Sequence, residues 1–151
     1  MSKNKIHIGT SGWNYKHWRE NFYPKDLKQK DFLKHYSHNF QTVEVNNTFY
    51  NLPTEDTLEV WMATVPKDFV FAIKGSRYIT HMKKLKDPEK STKKFFTAIH
   101  LLKDNLGPIL FQFPPNFGFN DERLKNFIKS LPRNYRYTFE FRHDDWFNNT
   151  T

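Results

Sequence analysis

Charged side chains stand near the ends of several predicted strands, and they are the first candidates for chemistry. Glu44, Lys74, Glu140 and Arg142 each close or follow a strand-like run. Carboxylates and cations gathered in one cup can move protons and bind an anion. The same groups can instead form a self-satisfied ion network that only fixes strand register. His143 follows directly and adds a candidate base.

Five strands are needed to position these groups. Each candidate strand is a short run of β-branched and aromatic residues bounded by turn residues. The predicted strands are Ile6–Gly9, the run that starts at Thr42, Phe69–Ile73, Ile109–Phe113 and Tyr137–Arg142. Because they alternate with helical patterns, the sequence predicts βαβ units and a parallel sheet.

Helical spacing of apolar residues separates the strands. The predicted helices run from about Leu27 to Asn39, from an N-cap at Thr54 to Val65, from a cap at Asp87 to a stop at Gly107, and from a cap at Asn120 to Leu131. Residues 78–86, which include His81, are predicted to form a long basic loop.

Alternation along the strands assigns the candidate groups to one face, because successive side chains of a strand point to opposite sides. One phase carries the polar residues Glu44, Asn46, Lys74, Gln112, Thr138, Glu140 and Arg142. The other phase is apolar throughout: Val43, Val45, Phe71, Ile73, Phe111, Phe113, Phe139 and Phe141.

This pattern favours one fold class over another. In a parallel barrel one strand face meets the helices, and the other turns inward with a polar mouth at the carboxyl ends of the strands. An open doubly wound sheet would cover both faces with helices. The sequence therefore predicts an α/β fold of the TIM-barrel type.

Composition limits the classes of function. The chain has 151 residues, enough for one domain, and a formal net charge of +8, which suits an anionic partner. It contains no cysteine, so disulfides, thiolate metal sites and cysteine nucleophiles are excluded. No spacing predicts a metal site, and we predict no cofactor. Without an export signal or an apolar run long enough to span a bilayer, we expect a cytoplasmic protein.

The first predicted strand leads into Gly9-Thr10-Ser11-Gly12-Trp13, a tight loop whose backbone N–H groups can approach an anion. Trp13 stands where a nucleophile elbow needs glycine, and no Gly-Lys-Ser/Thr follows to make a phosphate-binding P-loop. The aromatic residues from Trp13 to Tyr23 either cap the core or stack on bases or sugars.

Ordered motifs over nearly the whole chain resemble the YecE-like family, also called domain of unknown function 72. The motifs are Gly9 to Trp13 with Tyr15, Trp18 and Phe22-Tyr23-Pro24; Val43 to Asn46 with Thr48-Phe49-Tyr50 and Pro53; Phe71 to Lys74; Gly107-Pro108 with Leu110, Gln112 and Pro114-Pro115; and Glu140 to His143 with Trp146. The resemblance implies a TIM-type barrel related in shape to sugar isomerases and apurinic-site endonucleases, without a settled reaction.

The resemblance also extends the set of candidate site residues. It supports catalytic roles for Glu44, Lys74, Glu140 and His143. It implies ligand-binding roles for Ser11, Trp13, Asn46, Thr48, Tyr50, Gln112, Arg142 and Trp146. A variant of this hypothesis makes Lys74 a Schiff-base lysine, since a lysine amine can attack a carbonyl.

The length of the chain departs from the family pattern. A complete barrel of this type needs about 250 residues, and this sequence stops just after its fifth strand. We therefore expect residues 1–151 to be a single domain, the N-terminal part of a barrel. Strands six to eight would come from a missing C-terminal half or from another chain.

Three functions follow as alternatives. The first is binding or processing of a phosphate- or sugar-bearing ligand, abasic nucleic acid included, at the mouth formed by the carboxyl ends of the strands. The second is a non-catalytic nucleic-acid-binding module that uses the basic surface and the aromatic residues from Trp13 to Tyr23. The third is an inactive truncated fragment.

Overall fold

In this computed structural model, which describes residues 6–147, five parallel strands form one sheet in the order of the chain. The strands are β1 (Gly9–Ser11), β2 (Thr42–Val45), β3 (Val70–Lys74), β4 (Leu106–Gln112) and β5 (Tyr137–Glu140). The prediction of an α/β fold with five parallel strands is confirmed. The sheet is open between β1 and β5.

Five α-helices connect and cover the strands. They are α1 (Phe32–Asn39), α2 (Asn47–Tyr50), α3 (Glu55–Thr64), α4 (Pro88–Ile99) and α5 (Asp121–Ser130). Short 3-10 segments occur at Lys16–Trp18, Gln29–Asp31, His100–Asn105 and Asp144–Trp146, and a π-helical turn at Tyr78–Met82. Within residues 6–147, no helix has the length and apolar character needed to cross a membrane.

The two faces of the sheet differ in burial as the alternation predicts. On the apolar face of β2 to β4 the side chains are almost fully buried: Val43, Val45, Phe71, Ile73, Ile109, Phe111 and Phe113. The opposite face of β2 and β3 is only partly buried at every position. Helices therefore cover one face of the sheet, and Glu44 and Lys74 lie on the other.

Aromatic rings make up much of the covered face. Phe111 is fully buried and lies 4.9 Å, centroid to centroid, from Phe127 of α5 in an edge-to-face contact. Its ring also lies 6.1 Å from Phe95 of α4 and 6.1 Å from Phe139 of β5. One side chain of β4 thus contacts two helices and the next strand.

The first strand lies later in the chain than predicted. Pairing with β2 begins at Gly9, and Ile6 and Ile8 are 83% and 70% exposed. A Cβ built on Gly9 would lie 2.1 Å from the backbone oxygen of Thr42, so only glycine permits this approach. The prediction of a strand at Ile6–Gly9 is therefore wrong in position, because close backbone packing at Gly9 outweighs the β-branched pair before it.

The end of the fourth helical segment also differs from the prediction. The α-helix ends at Ile99, and a 3-10 segment continues to Asn105, with Lys103 at φ 49°. Gly107 is not a helix stop but lies inside β4, where a Cβ would meet Val70 at 2.5 Å and the Phe71 oxygen at 3.0 Å. Glycine is needed there for close approach between strands.

A bulge accompanies this glycine. Phe71 pairs with Leu106, but Ile73 pairs with Ile109, so β4 has one more residue than β3 between these two pairs. Other boundaries also differ from the prediction. The first helix starts at Phe32 instead of Leu27, after a 3-10 turn at Gln29–Asp31, and β4 starts at Leu106 instead of Ile109. β3 ends one residue later, at Lys74, and β5 ends at Glu140.

Helix capping follows the sequence at two of three positions. Thr54 Oγ1 accepts a hydrogen bond from Thr57 N at 3.3 Å, and Asn120 Oδ1 accepts one from Arg123 N at 2.9 Å. Asp87 precedes α4 with φ 47° and makes no capping bond. Its carboxylate instead lies 3.3 Å from Lys83 Nζ, so the prediction of a cap by Asp87 is wrong.

Replacing Phe111 by alanine tests the aromatic layer. Because this ring is fully buried among rings from α4, α5 and β5, F111A is expected to lower the free energy of unfolding by roughly 3–5 kcal/mol. Urea denaturation followed by tryptophan fluorescence measures the change. The control is V60A at a side chain of α3 that is 63% exposed, which should stay within about 0.5 kcal/mol of the parent.

Candidate functional site

The carboxyl ends of β1 and β2 carry a hydrogen-bonded cluster of three predicted site residues. Ser11 pairs with Glu44 in the sheet register, and its Oγ donates to Glu44 Oε1 at 3.0 Å. Asn46 Nδ2 donates to Ser11 Oγ. The Tyr15 hydroxyl holds the same segment by donating to the Ser11 carbonyl at 2.6 Å. The Ser11 hydroxyl thus donates its one proton to Glu44 and accepts a hydrogen bond from Asn46, so it orients both side chains.

A second cluster lies at the carboxyl ends of β4 and β5. Gln112 is paired with Glu140 in the register, and its Nε2 donates to Glu140 Oε2 at 2.7 Å. Arg142 Nε donates to Glu140 Oε1, also at 2.7 Å. Each carboxylate oxygen of Glu140 therefore accepts one strong, directed hydrogen bond.

These contacts decide the charge of Glu140. Partial burial raises the pKa of Glu140, but the hydrogen bonds from Gln112 and Arg142 and the positive charges of Arg142 and Lys74 act in the opposite direction. The net effect is a pKa below the ordinary value of 4.5. Glu140 is ionised at neutral pH and is better suited to orienting a cation than to donating a proton.

Lys74 ends β3, the strand between the two clusters. Its Nζ lies 5.3 Å from the centre of the Phe49 ring, a distance at which the ring face attracts the ammonium group. The Thr48 hydroxyl contacts both the Val45 oxygen at 2.9 Å and the Lys74 oxygen at 2.6 Å. The buried Thr48 side chain thus connects the end of β2 to the end of β3 and fixes the position of the Lys74 backbone.

His81 is a functional candidate that the sequence does not single out, because residues 78–86 are predicted to form a long basic loop, and this prediction is wrong for the first part of the segment. It lies in the π-helical turn Tyr78–Met82 that follows β3, and such turns are frequent at functional sites. Its ring packs edge-on against Phe49 at 4.9 Å, and its Nδ1 shares a hydrogen bond of 2.8 Å with Thr80 Oγ1. The available signal was position, since the loop follows the carboxyl end of a strand that closes with Lys74.

The surroundings of His81 are strongly cationic. Burial lowers the pKa of His81, and the positive charges of Arg142, Lys74, Arg77 and Lys84 lower it further from the ordinary value of 6.5. His81 is therefore neutral at pH 7. Four cations from three segments of the chain thus lie within electrostatic reach of one imidazole. We call Lys74, Arg77, His81, Lys84 and Arg142 the cationic rim.

The loop that carries His81 has an unusual backbone. Lys84, Leu85 and Asp87 have φ values of 45°, 64° and 47°, in the left-handed region that favours glycine. Lys84 Nζ donates to the Asn116 oxygen at 2.9 Å, which ties this loop to the segment after β4. Backbone strain of this kind persists where the surrounding structure holds it, and it is common beside functional sites.

Not all predicted site residues reach this edge with an exposed side chain. Trp13 is 8% exposed and packs edge-on against Trp61 at 5.0 Å. Trp146 is 1% exposed, lies 4.7 Å from Phe141, and donates from its indole nitrogen to the Phe117 oxygen at 2.6 Å. Both tryptophans pack in the core, and the Trp146 indole also holds the backbone at Phe117.

His143 and Tyr50 occupy the margins. His143 Nδ1 lies 3.5 Å from Asp145 Oδ2 and accepts from Asp145 N at 3.2 Å, so its partner is in its own loop. Tyr50 is 64% exposed, with the Arg77 guanidinium 5.9 Å from its ring centre. Within residues 6–147, no group of three or more His, Asp or Glu side chains is placed to hold a metal ion.

Together these features define a class: an α/β protein with consecutive parallel strands and a charged cluster at their carboxyl ends. The family model described as "Protein of unknown function DUF72" matches residues 7–151, and the chain belongs to this family. The family likeness predicted from the sequence motifs is therefore confirmed.

Two curated relatives are similar over nearly all of this chain. The UPF0759 protein YecE of Escherichia coli K12 is 29% identical over 143 residues, which is 94% of this chain and 50% of the relative. The UPF0759 protein YunF of Bacillus subtilis is 28% identical over 150 residues, which is 94% of this chain and 52% of the relative. The chain thus spans about half the length of the curated relatives it matches.

Solved structures of the family are similar to the same extent. A DUF72 family protein from Thermotoga maritima superposes with a TM-score of 0.83 at 34% identity, covering 96% of this chain and 58% of that protein. A DUF72 family protein from Enterococcus faecalis superposes with a TM-score of 0.77 at 19% identity, covering 97% and 54%. The second likeness concerns the fold alone.

The charge environment of His81 predicts a dependence of stability on pH. Because the pKa of His81 is lower in the folded protein than in the unfolded chain, the unfolded chain binds more protons at this position as the pH falls below about 6.5. The free energy of unfolding should therefore decrease from pH 7 to pH 5, and H81Q should decrease less. Urea titrations across this range measure both slopes.

The matched control is H17Q, at an exposed histidine of the Lys16–Trp18 turn. Equal slopes for H81Q and the parent would mean that folding does not lower the pKa of His81.

The hydrogen bond from Gln112 predicts the titration of Glu140. Q112A removes one donor to the carboxylate and should raise the pKa of Glu140 toward its ordinary value. Carboxyl-carbon NMR titration measures the shift. Q41A, at an exposed glutamine outside the sheet, should leave the titration of Glu140 unchanged, and the same result with Q112A would remove the assigned role of Gln112.

Proposed function

We propose that this chain forms the first five strands of a TIM-type barrel and binds a phosphate- or sugar-bearing ligand at the carboxyl ends of those strands. The barrel part of the proposal is supported by the strand order, which never reverses as it does in doubly wound sheets. It is also supported by the partly buried second face, which carries Glu44 and Lys74 and would become the interior of a barrel.

The register adds a further argument for barrel geometry. Ser11 and Glu44 lie level with Ala72, whereas Lys74 lies level with Leu110 and Gln112 level with Glu140. The polar positions thus step forward from β2 to β3 and again from β3 to β4. A stagger between neighbouring strands is what closure of a tilted sheet into a barrel requires.

The observation that carries the ligand proposal is the cationic rim. The pKa of the partly buried His81 is lowered by four positive charges, those of Lys74, Arg77, Lys84 and Arg142. Of these four, Arg142 also donates a hydrogen bond to the carboxylate of Glu140. Positive charges brought close together repel one another, and an anion between them relieves that repulsion. A phosphate group fits, because arginine and lysine donors match its oxygens.

The two carboxylates receive different roles in this proposal. Both oxygens of Glu140 accept hydrogen bonds from Gln112 and Arg142, and the pKa of Glu140 is lowered, so Glu140 positions Arg142. Glu44 accepts from Ser11 through Oε1. Glu44 Oε2 makes no hydrogen bond to another residue in the range 6–147, and Glu44 is therefore the acid–base group of the proposal.

The sugar part of the ligand would lie beside the phosphate. Asn46 and Ser11 present amide and hydroxyl groups next to Glu44, and such groups bind sugar hydroxyls by directed hydrogen bonds. We also propose a cytoplasmic location, in keeping with a chain that contains no cysteine.

Isothermal titration tests the ligand proposal with three probes: inorganic phosphate, ribose 5-phosphate and ribose. Ribose 5-phosphate should bind most tightly, since it offers both the anion and the hydroxyls. K74M and R142M should each weaken it about 10- to 100-fold, the usual effect of losing one charge-assisted hydrogen bond.

The control is K28M, which removes the same charge from an exposed position away from the sheet edge. Absence of heat with both phosphate-bearing probes would overturn the proposal. Equal weakening by K28M and K74M would mean that net charge, and not a site at Lys74, determines ribose 5-phosphate binding, and would also overturn the proposal.

A further inference from the structure

A groove with a cavity volume of about 1020 Å³ runs between the segment after α2 and the outer side of α4. One wall contains Tyr50 and Pro53, and Tyr78 of the π-helical turn extends it. The other wall is formed by lysines of α4. We call this the lysine–tyrosine groove. Neither the family match nor the cationic rim accounts for it.

The helical spacing of the lysines in α4 forms the lysine wall. Lys90, Lys93 and Lys94 stand at i, i+3 and i+4, so they lie on one side of the helix. The buried side of α4 carries Phe95, Phe96 and Ile99, which pack in the core. The three ammonium groups therefore border the groove because packing of the apolar stripe fixes the rotation of the helix.

The opposite wall exposes aromatic rings. Tyr50 is 64% exposed and Tyr78 is 43% exposed, so both rings are accessible to a ligand. Arg77 lies 5.9 Å from the centre of the Tyr50 ring, and Lys83 lies 5.9 Å from that of Tyr78. Each tyrosine thus has a cation over its ring and still exposes much of its surface, so a base can stack on the ring while the cation contacts the neighbouring phosphate.

The charge of the groove selects the partner. Fourteen residues line it, and none of them is an aspartate or a glutamate. A polyanion is therefore the complementary ligand, and the two exposed rings favour one that carries flat bases over an acidic peptide. We propose that the lysine–tyrosine groove binds single-stranded nucleic acid.

This surface differs from the aromatic segment that the sequence suggested for nucleic acid. The rings from Trp13 to Tyr23 pack on one another and on α1: Trp18 lies 5.6 Å from Phe22, and Tyr23 stacks on Phe32 at 3.9 Å. Their contacts are used inside the protein. The groove lysines stand apart from the proposed sugar-phosphate site, whereas Arg77 of the cationic rim contacts Tyr50 and Ser76 brings one end of the groove to the same edge of the sheet.

Fluorescence anisotropy with labelled oligo-dT and oligo-U of 15 nucleotides tests the proposal on the complete chain at several salt concentrations. The triple variant K90Q/K93Q/K94Q should reduce the slope of log K against log salt by about 2, since each phosphate contact on a single strand contributes about 0.7. The matched control K28Q/K30Q/K34Q removes the same charge from exposed positions near α1 and should leave the slope within about 0.5 of the parent.

The tyrosines provide a readout that net charge does not move. Y50A and Y78A should each weaken binding roughly 5- to 150-fold, the range found for loss of one stacked base. Y50F and Y78F keep the rings and should restore affinity. Thermal unfolding monitored by circular dichroism shows that each variant is folded.

Three results would overturn the proposal: no binding of either oligonucleotide, equal effects of the groove and control triples, or equally tight binding of a labelled polyglutamate peptide. Binding of ribose 5-phosphate should be unchanged in K90Q/K93Q/K94Q, because these lysines lie outside the cationic rim. Loss of oligonucleotide binding without loss of ribose 5-phosphate binding, or the reverse, thus separates a failure of this proposal from a failure of the sugar-phosphate site.

Discussion

Packing of the apolar sheet face against the helices is the contact on which the rest of the structure depends. Phe71, Ile73 and Phe111 are completely buried there, and their burial fixes which way every neighbouring residue of the same strand points. Because the strand period is two residues, Lys74 and Gln112 must then lie on the opposite face. The arrangement of charge at the carboxyl edge of the sheet is therefore a consequence of hydrophobic packing and requires no further interaction.

This explains why much of the candidate site can be predicted from the sequence. Strand phase alone places Glu44, Lys74, Gln112 and Glu140 on one face, and the burial of the alternating residues agrees with it. Thr54 and Asn120 likewise cap helices through local chemistry, which a sequence displays directly. Local rules succeed where the competing tertiary contacts point the same way.

The remaining features depend on contacts between distant segments. Trp146 is a residue type that can stack on a ligand, but its contacts with Phe117 and Phe141 bury it. The periodicity of the sequence does not reveal these contacts. His81 becomes noteworthy only in the folded chain, where burial and the positive charge of Arg142, which lies 61 positions further along the chain, both lower its pKa. Gly107 resembles a helix stop until Val70 of the neighbouring strand is known to touch it.

The bulge between β3 and β4 has a consequence for how this sheet can change. The extra residue of β4 lies between Leu106 and Ile109, upstream of Gln112. Without it, regular pairing continued from Phe71 and Leu106 would turn the residues from Ile109 onward to the opposite faces of the sheet. The Phe111 ring would leave the aromatic layer, and the Gln112 amide would enter it. Loss of a single codon here would therefore set the pairing at Leu106 against the burial of Phe111, whereas a change of length in a surface loop would leave both as they are.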